Sequence, residues 1–289
     1  MQMNDKLKKR SSLWLILIPL YLITIAFVLF PILYMIVLSF LNRAEVFGVE
    51  FSFTLKNFQK ILEPLYLETF IESFKLAAIS TFFIILIGYP FGYFMAKLSG
   101  DWKKRMMLLI MLPFWTSALI RLFGWIIVFR SNGTLDKILM GLHITEKPLK
   151  LLYSYPAVVV GMIYSLLPFM ILAVYSSAEK MDWSLVEAAT DLGANRFTAF
   201  RTITLKLTMP GLLSGVVLTF VPSMGLFFIA DLLGGNKIVL VGSVIQEQLT
   251  KGRNLPFAAA LSVVLMVLTT LILYLYRRLT HSNDVEGLV

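Results

Sequence analysis

The chain of 289 residues contains no cysteine and only two histidines, His143 and His281. Without thiols there is no disulfide and no thiolate metal site. Charge is scarce, at 15% of residues. Also missing are a G-x-x-x-x-G-K-[ST] phosphate loop, an H-E-x-x-H pair and a G-x-S-x-G elbow. Nothing in the sequence binds and hydrolyses ATP or mounts familiar hydrolytic chemistry, so any energy source must come from a partner. Apolar residues, by contrast, make up 58% of the chain, and the mean hydropathy is +0.81. That balance excludes a soluble globular domain and marks an integral membrane protein.

Crossing a hydrocarbon core takes about 20 mostly apolar residues in a helix, because every backbone polar group must be satisfied within the segment. Six stretches meet that length: Leu13 to Leu41, Phe70 to Ala96, Met106 to Phe129, Tyr155 to Tyr175, Thr208 to Ala230 and Pro256 to Tyr276. The predicted fold is therefore all-α, with six transmembrane helices over 13–276, a cytoplasmic segment 1–12 and a cytoplasmic tail 277–289. No small-residue cleavage pattern follows the first stretch, which is expected to stay as a signal anchor.

Lys6, Lys8, Lys9 and Arg10 precede span one, Lys103, Lys104 and Arg105 lie between spans two and three, Arg196, Arg201 and Lys206 between four and five, and Arg277 and Arg278 after six. With six spans all of these share one side. The other side carries Arg43, Lys137 and Lys150 among others, diluted by acids such as Glu50 and Glu63. The positive-inside rule puts both termini in the cytoplasm. A net charge of +9 suits contact with anionic membrane lipid and requires no nucleic acid. His143 then lies outside and His281 inside, so the two cannot share a metal. Asn132-Gly133-Thr134 is read as a turn rather than a glycosylation site.

Between spans four and five stands a polar, small-residue segment, Glu187-Ala188-Ala189-Thr190-Asp191-Leu192-Gly193-Ala194. Ser184 and Glu187 fit a capping box that starts a short helix. Glu187 and Asp191 share a face of it, and Ala188, Ala189 and Leu192 form a small, smooth surface. Gly193 is expected to take the left-handed conformation that stops the helix, and Asn195 to cap a second one with Phe197, Phe200, Ile203 and Leu207 as its apolar stripe. Helix, glycine turn, helix over about 184–207 is the prediction. From periodicity alone the favoured reading is an amphipathic interfacial hairpin in which Glu187 only caps.

Glu187-Ala188-Ala189, Asp191, Gly193-Ala194, Phe200 and Met209-Pro210-Gly211 resemble the signature of importer-type ABC permeases, the loop that contacts the ATPase. The likeness extends to Phe58–Tyr66, Pro113-Phe114-Trp115-Thr116 with Leu119-Ile120-Arg121, Leu167-Pro168-Phe169-Met170, and Pro222–Gly235, which are similar to the first permease of spermidine/putrescine importers. That resemblance implies a partner ABC ATPase in two copies, a second permease in a heterodimer, an extracytoplasmic polyamine-binding protein, and no cofactor. It assigns ATPase coupling to Glu187, Ala188, Ala189, Asp191, Gly193 and Ala194.

For the substrate path, span five is interrupted by Pro222 and Gly225 and then meets Asp231 and Gly234-Gly235, as expected where broken helix lines a cavity. Asp231 is the first candidate for a cationic substrate; the plain alternative is a solvated acid at a helix end. Glu72 and Glu247 are candidates at the outer rim, although Glu72 can pair with Lys75. Trp115, Trp125, Tyr164 and Phe169 offer rings for ammonium groups, or pack and anchor the spans. Arg121, roughly 13 Å along a helix from Arg130, is expected to hold an acid or carbonyls of a partner permease, or to shape a gate. Two rivals stay open: an importer of the same architecture for another small solute such as thiamine, iron, sulfate or an opine, and a self-contained channel or membrane enzyme.

Overall fold

The computed structural model describes residues 18–44, 48–235 and 237–280. The predicted segment 1–12, the first residues of span one, and the tail from His281 onward lie outside the described residues. The chain divides into two compact units, Met1–Glu63 with Ile245–Leu268, and Pro64–Val244 with Thr269–Val289.

In the first unit α1 (Ile18–Ser39) is apolar all round and almost wholly exposed. Pro31 has no amide to donate, and the turn before it, Ile25–Leu29, widens so that the Phe30 amide reaches the Ile25 carbonyl. Two short strands follow, β1 (Leu41–Arg43) and β2 (Val49–Phe53), paired antiparallel with Asn42 opposite Glu50 and Arg43 opposite Val49. The all-helical reading missed this hairpin. Its signal is the alternation of Val49, Phe51 and Phe53 with Glu50 and Ser52. Phe40 packs on Phe53 and Phe58 at 5.6 and 5.0 Å between centroids. From α2 (Lys56–Ile61), the Asn57 amide donates to the Ser39 carbonyl at the end of α1 and to the Leu41 carbonyl at the start of β1, at 3.1 and 2.9 Å.

The second unit opens with α3 (Pro64–Ala96), α4 (Gly100–Met111), α5 (Ala118–Phe129) and α6 (Thr134–Gly141). It continues through α7 (Tyr155–Glu179), α8 (Ser184–Asp191), α9 (Arg196–Gly225) and α10 (Phe227–Gly234). The chain then runs into α11 (Val241–Thr250) and α12 (Leu255–Thr280).

Helices α3, α7 and α9 pack directly on one another, and two Gly-x-x-x-Gly pairs make this possible. Gly88 and Gly92 on α3, and Gly211 and Gly215 on α9, both face α7. A Cβ on Gly92 would stand 2.7 Å from the Ile171 carbonyl oxygen, and one on Gly211 2.6 Å from that of Ala173. Backbone meets backbone there, the close approach that lets helices associate without a hydrophobic driving force. Met170, fully buried on α7, fills the space between Gly88 and Gly215. Beside this trio, Leu122 and Phe129 of α5, Val158 and Met162 of α7, and Ile229 and Leu233 of α10 form a second core.

Asn132-Gly133-Thr134 is a turn, as the sequence indicates. Asn132 is left-handed and Gly133 precedes the first turn of α6. The loop is pinned by Asp136, only 4% exposed, whose carboxylate accepts the Asn132 and Leu149 amides at 2.9 and 3.0 Å.

Two predicted spans need correction. Span three is not one helix: Gly100–Trp115 and Ala118–Gly141 meet at 92°. Pro113 supplies no amide to the helix, the chain tightens into a 3₁₀ turn over Leu112–Trp115, and Thr116 is extended. Among the described residues five helices are long and apolar enough to cross a membrane, six if this bent pair counts as one. Span five does not begin at Thr208; its helix starts at Arg196 and runs for 30 residues to Gly225 with one widened π turn over Phe200–Thr204, so the second arm of the predicted hairpin and the fifth span form one helix.

Candidate functional site

The start of α8 differs from the predicted capping box. Ser184 lies inside the helix, and its amide is taken by the Asp182 carboxylate at 3.0 Å. An acid two residues upstream competes successfully for the same amide. Hydrogen bonds from the Ser184 hydroxyl and then its amide hold the Asp182 carboxyl below the usual carboxylate range.

The end of α8 follows the sequence. Gly193 has φ of 87°, its amide reaches the Thr190 carbonyl at 2.9 Å, and the Ala194 amide reaches Ala189 at 3.0 Å. This is the Schellman closure that a left-handed glycine permits. Asn195 then caps α9, accepting the Thr198 amide at 2.8 Å.

Glu187, Ala188, Asp191 and Gly193 are exposed, and Ala189 and Ala194 half-buried. Leu192 is 89% and Phe197 71% exposed. The predicted apolar stripe of α9 therefore splits. Phe200 turns inward, 6.0 Å from both Tyr89 and Tyr93 of α3, while Phe197 points away with Leu192. The result is a protruding tip of two acids, small residues and two large apolar side chains, mounted on an aromatic base.

That base was not legible as a site. Tyr93 also meets Trp183 at 5.7 Å, and the Lys97 ammonium lies 4.5 Å from the Tyr93 ring and 5.0 Å from Trp183. The available signal is the four-residue spacing of Tyr89, Tyr93 and Lys97, one face of one helix.

At the other end α9 runs through Pro222, against the expected interruption there, and breaks just after Gly225. Leu226 leaves helical geometry at φ −77° and ψ 60°, and α10 begins at Phe227. Asp231 sits half-buried on α10 and accepts a hydrogen bond from the Ser243 hydroxyl at 2.9 Å. Glu72 pairs with Lys75 at 2.7 Å, and Glu247 approaches Lys251 at 3.7 Å. Among the described residues no group of three or more metal-ligating side chains is gathered.

The ring candidates fall into pairs along α7. Tyr164 stands edge-on to Trp125 at 5.5 Å, and Phe169 to Phe114 at 5.8 Å. Trp115 is 78% exposed at the bend itself. Arg121 reaches back across that bend, donating to the Pro113 carbonyl and to the Thr116 carbonyl at 2.8 Å, with its guanidinium 5.0 Å from the Phe114 ring. The carbonyls it holds belong to its own chain, where the broken helix leaves acceptors open.

Comparison with known proteins places this architecture. Residues 88–283 match the family described as binding-protein-dependent transport system inner membrane component. The chain is 41% identical over 254 residues to the spermidine/putrescine transport system permease protein PotB of Escherichia coli (strain K12), covering 88% of this chain and 92% of that one. It is 42% identical over 254 residues to the corresponding protein of Haemophilus influenzae, covering 88% and 89%. Among solved structures, a chain of a bacterial alginate ABC transporter in complex with an alginate-bound periplasmic protein superposes with a TM-score of 0.76 at 17% identity, covering 98% of this chain and 99% of that one. The last likeness carries the fold alone. The chain belongs to the family of inner-membrane components of binding-protein-dependent transport systems, and is a multi-pass, non-catalytic permease.

Proposed function

We propose that this chain is one of two permeases in an ATP-driven importer of spermidine and putrescine, working with a second permease, two copies of an ABC ATPase and a soluble extracytoplasmic polyamine-binding protein. The observation that carries the substrate is the 41–42% identity to two polyamine permeases along nearly the whole chain. In this reading both termini and the α8–α9 tip face the cytoplasm, where the basic residues cluster.

The geometry suits a lever. The tip of α8 offers Glu187 and Asp191 to basic groups of the ATPase, while Ala188 and Ala189 allow close approach. Because α9 is continuous over 30 residues, about 45 Å at helical rise, motion at the tip is carried along the rod to the break at Leu226. Beyond the break lies Asp231, so closing the ATPase moves the acid that would meet a cationic substrate. Ring pairs such as Trp125 with Tyr164 supply apolar walls for methylenes and faces for ammonium groups.

The test is uptake of labelled spermidine and putrescine into liposomes holding the whole complex, with ATP inside and binding protein outside. ATP-dependent uptake of either is the expected result. ATPase activity stimulated only by a binding protein loaded with a different solute would keep the permease and overturn the polyamine.

A further inference from the structure

We propose that Lys97 and Trp183 form a cation–π latch that fixes the α8–α9 hairpin to the end of α3, making both positioning residues for the coupling tip. This rests on the lever reading above, and adds what holds the lever's near end. Trp183 stands immediately before α8, and Phe200 lies in the first turns of α9, so each arm contributes one ring. Tyr93, buried on α3, touches both, and the Lys97 ammonium closes the stack over Tyr93 and Trp183 at 4.5 and 5.0 Å.

Two features make an ammonium the right group here. Lys97 follows the last residue of α3, where open carbonyls and the helix dipole favour a cation. Among the described residues no carboxylate pairs with it; Asp182, beside Trp183, is turned to Ser184 instead. Ring faces are less hydrated than a carboxylate, so the attraction requires little desolvation of the partner. Without the latch, the link Lys180–Trp183 between α7 and α8 is a short non-helical hinge. With it, the tip moves as one piece with α3.

The measurement separates ring electrostatics from ring packing. In the reconstituted complex Trp183 is replaced by tryptophans carrying one to four ring fluorines, which weaken the ring's negative face at nearly constant shape. Substrate taken up per ATP hydrolysed should fall stepwise, by about two- to fivefold at full fluorination. Lys97→Met should show the same loss and no further response to fluorine, and Lys97→Arg should restore coupling. A flat fluorine series, or an equal series in the Lys97→Met background, overturns the latch.

A second arm does not depend on transport. The chain has no cysteine, so Thr190→Cys with Lys104→Cys places a single spin-label pair between the hairpin and α4. One narrow distance is expected, broadened by Lys97→Met and kept by Lys97→Arg; a distribution indifferent to both overturns the proposal. Failure of polyamine uptake alongside the expected distances would count against the substrate and leave the latch standing.

Discussion

Tyr89 on α3 and Thr208 on α9 share a buried hydrogen bond of 2.8 Å. Thr208 gives its one hydroxyl proton to the Thr204 carbonyl at 2.8 Å, so Tyr89 is the donor and Thr208 the acceptor. The two single deletions are therefore unequal. Tyr89→Phe leaves Thr208 with its partner in Thr204, and should cost about 1 kcal/mol. Thr208→Val strands a buried phenol, at about 1–3 kcal/mol. The double variant should recover part of the loss. Thermal unfolding in detergent checks the order, and a Thr208→Val protein as stable as Tyr89→Phe would reverse the assignment of donor.

The glycine contacts give a second expectation. Gly92→Ala and Gly211→Ala push a methyl group against carbonyl oxygens that cannot turn away, and each should destabilise the bundle by about 1–3 kcal/mol. Gly124 on α5 has nothing within 4 Å of where an added methyl group would stand, so Gly124→Ala should be neutral or stabilise by up to about 1 kcal/mol. Melting temperatures of the three variants decide it.

How much of this was legible follows from the kind of signal each feature leaves. Apolar length marks a span wherever it occurs, and five of the six stretches lie mainly within one helix each, the fifth ending its helix at Gly225. It does not report a bend inside a span, which at Thr116 depends on Pro113 and on where Arg121 can reach. Gly193 and Asn195 were legible because left-handed backbone and amide capping are local. Ser184 was not, because the deciding competitor, Asp182, is equally local and the two cannot be ranked by spacing. The pairing of Gly88 and Gly92 with Gly211 and Gly215, and the grip of Tyr93 on Trp183 and Phe200, join segments far apart in sequence. Their individual spacings are visible, but which surfaces meet is set only by packing.

Gly193 separates conformation from contact. Nothing lies within 4 Å of where its Cβ would be, so a substitution there acts through φ alone. Left-handed geometry costs an ordinary residue about 1–2 kcal/mol, more with β-branching and less for asparagine. Gly193→Val should therefore uncouple uptake from ATP hydrolysis, Gly193→Ala less so, and Gly193→Asn least, with all three complexes still assembled. Normal uptake by the valine variant would sink the lever.

Asp182 makes the first turn of α8 sensitive to acid. Its folded pKa is depressed by Ser184, so its contribution is present at neutral pH, above the unfolded value, and is lost as pH falls through the folded value. The amide chemical shift of Ser184 should titrate below the ordinary aspartate range. In Asp182→Asn that titration should disappear while the turn persists. A Ser184 amide that titrates unchanged in the asparagine variant would remove Asp182 as its partner.

Asp231→Asn is the sharpest probe of the substrate path. The amide oxygen can still accept from Ser243, so α10 should keep its local structure and the complex its basal ATPase rate, while the negative charge is gone. A charged hydrogen bond exceeds a neutral one by about 1 kcal/mol or more, and each 1.4 kcal/mol is about tenfold in affinity. Apparent KM for spermidine uptake should rise about five- to tenfold, while Glu72→Gln, whose pair with Lys75 is exposed and screened by solvent, should leave it nearly unchanged. Equal KM values for wild type and Asp231→Asn would make Asp231 a polar group at a helix end, held by Ser243 and without a role in recognising the cation.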